Sequence, residues 1–350
     1  MTAVLDPPAP EIHADLTRRR FVTGSLGLGA VILTGCGDGD RETAGTTPGS
    51  DAFPVTIAHK FGSTQIPRPP KRIVSVGYND QDFTLALGQP VLGTVRSADY
   101  PYPDRPWARQ AAGSAKPKEI GSLGELNLEQ IAALRPDLII GLYAGTTKAE
   151  YSKLSRIAPT VAQPDRYPDY AIPWRQQLLL TGRALGRNDR ARELVEQLEN
   201  RFAKARREHP ELEGRSVVLA SLGDGSGYAA FTGPRGNFFT DLGLKIPAPI
   251  VKRAGDEYFA DFSSEQVRLL DLDVVIMFAT RKEAEARPLF RRLDAVREGR
   301  VIYLPIGNAD LYGALNYNSP LSLPFQIDGF VPRLAAAVDG DPATAIEPIT

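Results

Sequence analysis

The chain has 350 residues, 42% hydrophobic and 24% charged, which is enough apolar side chain for a full core in one or two domains. A formal net charge of −1 and a pI of about 6.4 argue against nucleic acid as a partner, because such domains are usually strongly basic. With one cysteine (Cys36) and three histidines (His13, His59, His209), disulfides and thiolate clusters are excluded, and a zinc or manganese carrier is disfavoured.

Residues 1–35 read as an export signal. Thr17-Arg18-Arg19-Arg20-Phe21-Val22 fits the twin-arginine pattern, and an apolar stretch interrupted by glycines runs from Val22 to Leu33. That stretch is too short to cross a membrane and fits a signal peptide's apolar region. It ends in Leu33-Thr34-Gly35-Cys36, similar to a bacterial lipobox, in which the chain is cut before the cysteine and the thiol is lipidated. The expectation is a lipid-anchored protein on the extracytoplasmic face of the cell membrane. Residues 36–52 are Gly, Asp, Thr and Ser without apolar periodicity, the composition of a flexible tether.

Residues 53–172 read as a first α/β lobe. Alternation at Val55, Ile57 and Phe61 suggests a hairpin or edge strand, closed by Pro67, Pro69 and Pro70. A buried strand at 72–77, a helix at 80–87 and a strand at 91–95 follow. Short strands alternating with helices predict a parallel sheet. Residues 96–118 form a long loop rich in Arg, Tyr and Pro, and loops of that length are usually functional or mobile. A capped helix from Asn127, a strand at 137–140, a helix at 148–156 and a strand at 160–163 complete the lobe.

Residues 173–209 read as one long bridging helix between Pro173 and Pro210. Leu178, Leu179, Leu185, Leu194, Leu198 and Phe202 recur at spacings of seven and four, with one break between Leu185 and Leu194. Gly182 and Gly186 weaken its first half and allow a kink. At 1.5 Å per residue the run would reach roughly 50 Å. Residues 210–350 restart the pattern: a strand at 216–222, a helix at 237–242, a capped helix and strand over 263–279, a helix at 283–293, a strand at 300–304 and a final helix at 321–338.

The two lobes look alike. Asn127-Leu128-Glu129-Gln130 and Ser263-Ser264-Glu265-Gln266 both open short helices with a capping residue and a Gln three positions on, and Asp137 and Asp273 both open the next strand. Each second-lobe residue lies 136 positions after its counterpart. The fold class is therefore α/β: two Rossmann-like lobes with parallel sheets joined by one long helix. Glu129 and Glu265 fall opposite the apolar stripes of their helices and should be exposed. One such carboxylate is accounted for by the helix dipole; a matched pair on two lobes points to docking.

Ligands of open parallel sheets sit beyond the carboxyl ends of the strands. Those ends carry Tyr78, Asn79, Arg96, Tyr143, Asp224, Tyr228, Arg281, Asn308 and Tyr312, with Trp174, Arg235 and Tyr317 in nearby loops. The loop Leu222 to Tyr228 hints at a dinucleotide site but has Tyr228 where the third glycine belongs.

The segments PKRIVSVG, LGQPVLGTV, NLEQIAALRPDLII, SSEQVRLLDLDVVI and REGRVIYLP together resemble the substrate-binding lipoproteins of ABC importers for ferric siderophores, haem and cobalamin. The resemblance runs over about residues 53–338 and is most specific in NLEQIAALRPDLII. It implies a ligand held between two lobes with little hinge motion, a ferric siderophore as that ligand, no cofactor and no catalysis. It also implies a monomer that meets an ABC permease dimer through Glu129 and Glu265, each facing an arginine. Arg donors and aromatic faces suit bulky, oxygen-rich chelates, so Tyr78, Arg96, Tyr143, Trp174, Tyr228, Arg235, Arg281 and Tyr312 are the candidate ligand contacts. Hydroxamate binders of the family often carry an Arg just before the NLE motif; here that segment is Gly121-Ser122-Leu123-Gly124. Haem or cobalamin remains the alternative ligand. A twin-arginine-exported cofactor enzyme is the competing class, disfavoured by the absence of a Ser/His/Asp set, paired His ligands or a Gly-x-Ser-x-Gly elbow.

Overall fold

The apolar runs pair into two separate five-stranded sheets. The computed structural model describes residues 52–96, 105–223, 225–255, 257, 259–306, 310–341 and 343–349. The signal over 1–35, the lipidation site Cys36, the tether up to residue 51, Asp224 and Asn308 lie outside the described residues.

In the first sheet the strands lie in the order Lys118–Glu119, Gly93–Thr94, Ile73–Ser75, Leu138–Gly141 and Thr160–Ala162, and every pairing is parallel. Parallel neighbours need crossovers, and the helices Asp80–Ala86, Leu128–Ala133 and Lys148–Leu154 lie on those crossovers. Ile73–Ser75 and Leu138–Gly141 are buried at every position, as expected of strands covered on both faces. A separate hairpin, Val55–His59 with Gly62–Ile66, precedes the sheet.

The second sheet has the order Phe259–Phe262, Tyr228–Phe231, Val217–Leu222, Val274–Phe278 and Val301–Tyr303. Its last three strands are parallel. Its first two are antiparallel to their neighbours; Tyr228–Phe231 runs so against Val217–Leu222 because the loop between Leu222 and Tyr228 is too short to hold a crossover. The expectation of a parallel sheet thus describes three strands of this lobe, with an antiparallel ribbon added at one edge.

The repeat is visible in the hydrogen bonding. Asn127 accepts from the Gln130 N–H at 3.0 Å, and the Ser263 N–H donates to Gln266 Oε1 at 3.1 Å. Asp137 accepts from the N–H groups of Lys71 and Arg72, tying its strand to Ile73–Ser75. Asp273 does the same for Val217–Leu222 through the Ser216 N–H at 2.7 Å. Leu128–Ala133 is α-helical, whereas Ser264–Leu270 winds as a tighter 3-10 helix.

The single rod expected over residues 173–209 is instead two helices, Trp174–Leu185 and Asn188–Glu208. Gly186 takes the left-handed conformation at φ 63°, and the Arg187 N–H reaches back to the Gly182 carbonyl at 2.7 Å. This closes the first helix as a glycine-terminated cap. The second helix then folds back on the first. Arg175 pairs with Glu199 at 2.7 Å, and the Trp174 and Phe202 rings stack 6.4 Å apart. The first helix packs on the first lobe's Asp80–Ala86, and the second on the final helix Ser322–Val338. One apolar cluster runs through both helices and into both lobes, including Phe83, Leu178, Phe202, Leu323 and Phe330.

Gly182 sits where the two helices touch: a Cβ added there would lie 2.4 Å from the Ala191 Cβ. Gly182→Val should therefore part the hairpin and destabilise the protein by about 1–3 kcal/mol, the usual cost of overpacking. Urea unfolding checks this; an unchanged midpoint would show that the close approach is not needed.

Candidate functional site

The two lobes meet through buried polar groups. The segment Asn79-Asp80-Gln81-Asp82 leaves the carboxyl end of Ile73–Ser75 and is buried throughout. Asn79 Nδ2 donates to the Tyr317 carbonyl of the second lobe at 2.7 Å. Gln177 Nε2 donates to Asn79 Oδ1 at 2.7 Å and to Asp80 Oδ1 at 2.6 Å. Asp82 pairs with Arg105 at 2.7 Å, with both side chains fully buried. Its second oxygen accepts from Trp107 Nε1 at 3.0 Å and from Ser319 Oγ of the second lobe at 2.8 Å. The Arg105 guanidinium also lies 4.5 Å from the centre of the Tyr317 ring.

Beside this seam the strand ends of both lobes present aromatic rings and one cation. On the first lobe the Tyr78 N–H donates to the Tyr143 carbonyl at 3.0 Å, bringing two carboxyl-end loops together. The Tyr143 ring meets the Tyr170 ring edge-on at 5.5 Å. Gly145, at φ 55°, permits this: a Cβ there would come within 2.6 Å of the Tyr170 ring. On the second lobe Arg235, on the helix Gly233–Asp241, lies over the Phe231 ring at 5.3 Å. Phe231 packs against Phe278 at 5.4 Å, and Phe278 against Tyr312 at 5.3 Å.

Burial pushes the Tyr143 hydroxyl up to about 12, against the pull of the nearby Arg235 charge. Tyr143 therefore stays a neutral hydrogen-bond donor across the physiological range. The two residues belong to different lobes, so the charge of one lobe reaches a hydroxyl of the other. Arg235 is half-buried and makes no ion pair with a carboxylate among the described residues. The other half-buried guanidinium without a carboxylate partner, Arg287, is occupied by the Gly223 and Gly227 carbonyls.

The structure thus places Tyr78 and Tyr143 in loops of the first lobe, and Arg235 and Tyr312 on the helices Gly233–Asp241 and Asp310–Tyr317 of the second. Arg96 and Arg281 are solvent-exposed and lie near carboxylates, Arg96 3.8 Å from Glu119 and Arg281 3.7 Å from Glu285. Two expected contacts are corrected. Trp174 is 2% exposed in the core, stacked on Phe202, with its indole N–H on Asp241. Tyr228 is likewise 2% exposed and stacks on Phe290. Both follow chain elements whose apolar faces turn inward, which position along the strand end alone does not reveal. Glu129 and Glu265 are exposed on their helices. The sequence reading does not include Tyr170, Phe231, Phe278 or Arg105. Phe278 closes a parallel strand and falls under the carboxyl-end rule; Phe231 belongs to the antiparallel ribbon and carries no such signal. Two surface concavities, one lined by Arg201, Lys204 and Asp328 and one by Arg215, Asp273 and Arg300, lie outside this set of residues.

Asp80 adds a titration to the seam. Burial pushes its carboxyl up to about 6, although Gln177 and backbone hydrogen bonds oppose the rise. The folded chain then holds this proton more tightly than the unfolded chain. The associated stability is full below about pH 4 and is lost as pH rises through 6, a change of about 3 kcal/mol. Unfolding followed between pH 4 and 7 should show that decline, and Asp80→Asn should remove this component of it. An unaltered slope in the variant would mean another group titrates there.

A family model described as periplasmic binding protein matches residues 74–306. The chain is 28% identical over 290 residues to the probable siderophore-binding lipoprotein YfiY of Bacillus subtilis (strain 168), covering 78% of this chain and 86% of that protein. Among solved structures, a periplasmic solute binding protein from Mycobacterium smegmatis str. MC2 155 superposes with a TM-score of 0.72 at 33% identity, covering 83% of this chain and 100% of the other. PiaA of Streptococcus pneumoniae TIGR4 in complex with ferrichrome superposes with a TM-score of 0.73 at 27% identity, covering 82% and 99%.

Proposed function

Because the chain belongs to the periplasmic binding protein family, we propose that it captures a ferric siderophore between its two lobes and delivers it to an ABC importer. Members of this family are solute-binding proteins, so the chain is a binding protein and not an enzyme. The observation that carries the ligand is Arg235: a half-buried guanidinium with no described carboxylate partner, lying on one aromatic ring and facing Tyr143 of the other lobe. A cation left unneutralised among rings suits an oxygen-rich metal chelate, whose surface oxygens accept from the guanidinium and whose organic shell packs on the rings. The names of the relatives, a siderophore-binding lipoprotein and an iron-uptake protein holding ferrichrome, support the same reading.

The rest of the proposal rests on the sequence. The signal over 1–35 directs export, Cys36 carries the lipid, and the segment 36–52 lets the folded part, as a monomer, reach a permease dimer in the membrane. Glu129 and Glu265, exposed at matched positions of the two lobes, each meet a basic residue on one permease subunit. No helix among the described residues is long and apolar enough to cross a membrane.

Titration of the protein's tryptophan fluorescence with ferric siderophores, haem and cobalamin tests the ligand. Saturable quenching by a ferric siderophore is expected, and Arg235→Ala should weaken it about 10- to 100-fold, the loss of a charge-assisted hydrogen bond. Saturation by haem or cobalamin alone would overturn the assignment. For docking, Glu129→Lys with Glu265→Lys should stop iron uptake by cells while leaving the ligand Kd unchanged. Loss of ligand binding in that double variant would place the two glutamates in the wrong role.

A further inference from the structure

The charge of the cleft narrows the ligand further. Most basic side chains at or near the carboxyl ends of the strands are already engaged. Arg96 lies 3.8 Å from Glu119, Arg281 3.7 Å from Glu285, and both are open to water. Arg105 is fully buried against Asp82, and Arg287 holds two loop carbonyls. Lys148, at the start of its helix, is exposed. That leaves Arg235, on the helix Gly233–Asp241, as the one half-buried guanidinium near these strand ends that neither a described carboxylate nor a loop carbonyl engages. The residues outside the described set after the tether, 97–104, 224, 256, 258, 307–309, 342 and 350, include no lysine or arginine; among them are Asp99, Asp104 and Asp224. The groups tied to Arg235 are uncharged: the Phe231 ring beneath it and the Tyr143 hydroxyl, which its charge reaches; behind these lie Phe278 with Tyr312 on the one side and Tyr170 on the other.

Resting on the siderophore reading, we infer that the site between the lobes selects a ferric chelate that is neutral or carries a single negative charge, with an apolar shell, over polyanionic catecholate or citrate complexes. One guanidinium balances one charge. A complex bearing three negative charges would bring two of them into a partly desolvated site without partners, and desolvating unpaired charge is costly. The buried carboxyl of Asp80, close enough to act on Tyr143, adds to the repulsion when ionised. A neutral complex meets no such penalty: its oxygens accept from Arg235 and Tyr143 while its ligand backbone covers the rings.

The test compares three probes on the purified protein by fluorescence quenching. They are ferrichrome, whose iron(III) trihydroxamate centre is neutral; an iron(III) tricatecholate with three negative charges; and ferric dicitrate. Ferrichrome should bind at least about tenfold more tightly than either anionic complex. Its Kd should change by less than about threefold between roughly 0.05 and 0.5 M salt, because a neutral ligand has no net charge to screen. Tighter binding of the tricatecholate or dicitrate would overturn this inference while leaving siderophore capture intact. Saturation by none of the three, with haem or cobalamin binding instead, would remove the siderophore reading itself and this inference with it.

Discussion

Asp82 is where the two halves of the molecule are held together. Its carboxylate is fully buried, takes the charge of Arg105 on one oxygen, and accepts from Trp107 and from Ser319 of the second lobe on the other. Such a pair adds little net stability over an apolar alternative, because desolvating both ions consumes most of the Coulomb gain. Its effect is geometric. A carboxylate with directional partners on both lobes permits few relative placements of them, and Asn79 on the Tyr317 carbonyl and Gln177 on Asn79 restrict the choice further. Parting the lobes would leave the Asp82–Arg105 pair intact within the first lobe but strip Asp82 of the Ser319 hydrogen bond and Asn79 of the Tyr317 carbonyl, so buried polar groups would lose partners when the join opens partway.

The face proposed to bind the ligand follows from that join. The loops leaving Ile73–Ser75 and Leu138–Gly141 are locked to each other through Tyr78 and Tyr143, and the seam sets them opposite the helix that carries Arg235. The aromatic rings behind Arg235 descend from the exposed edge into the second lobe's core through Phe231 and Phe278. The guanidinium is thus half-buried against the Phe231 ring, which leaves less of it to be ordered by the proposed oxygen-rich ligand. Pre-placement of this kind keeps the entropic cost of capture low. The link between the lobes acts in the same direction: a helical hairpin closed at Gly186, each arm embedded in a different lobe, is a short joint rather than a flexible linker.

Much of this architecture was legible in the residues. Capping side chains at Asn127 and Ser263 and the offset shared by Asp137 and Asp273 gave the duplication, because caps and strand starts are local features with local signals. The turn at Gly186 was only half visible: the apolar spacing breaks between Leu185 and Leu194, but helix periodicity reads the same for a kinked rod and for two arms folded together. The ribbon Tyr228–Phe231 with Phe259–Phe262 left little trace, since Tyr-Ala-Ala-Phe is short and its partner is distant in the chain. Site residues divided in the same way. Tyr78 and Tyr143 lie in loops at strand carboxyl ends and Arg235 on the helix after the antiparallel ribbon, whereas Trp174 and Tyr228 are drawn into cores by stacking on Phe202 and Phe290. Burial of an aromatic side chain depends on what packs over it, and that is tertiary information.

The most direct measurement is the position of the metal. Crystals of the protein grown with a ferric siderophore, with diffraction recorded at the iron absorption edge, give the iron site from anomalous differences alone. The account predicts one iron between the Tyr143 loop and the helix bearing Arg235, with the chelate packed on Phe231 and Tyr312. Iron in the surface groove beside Arg201 and Asp328, or a chelate held by one lobe without contact to the other, would contradict it.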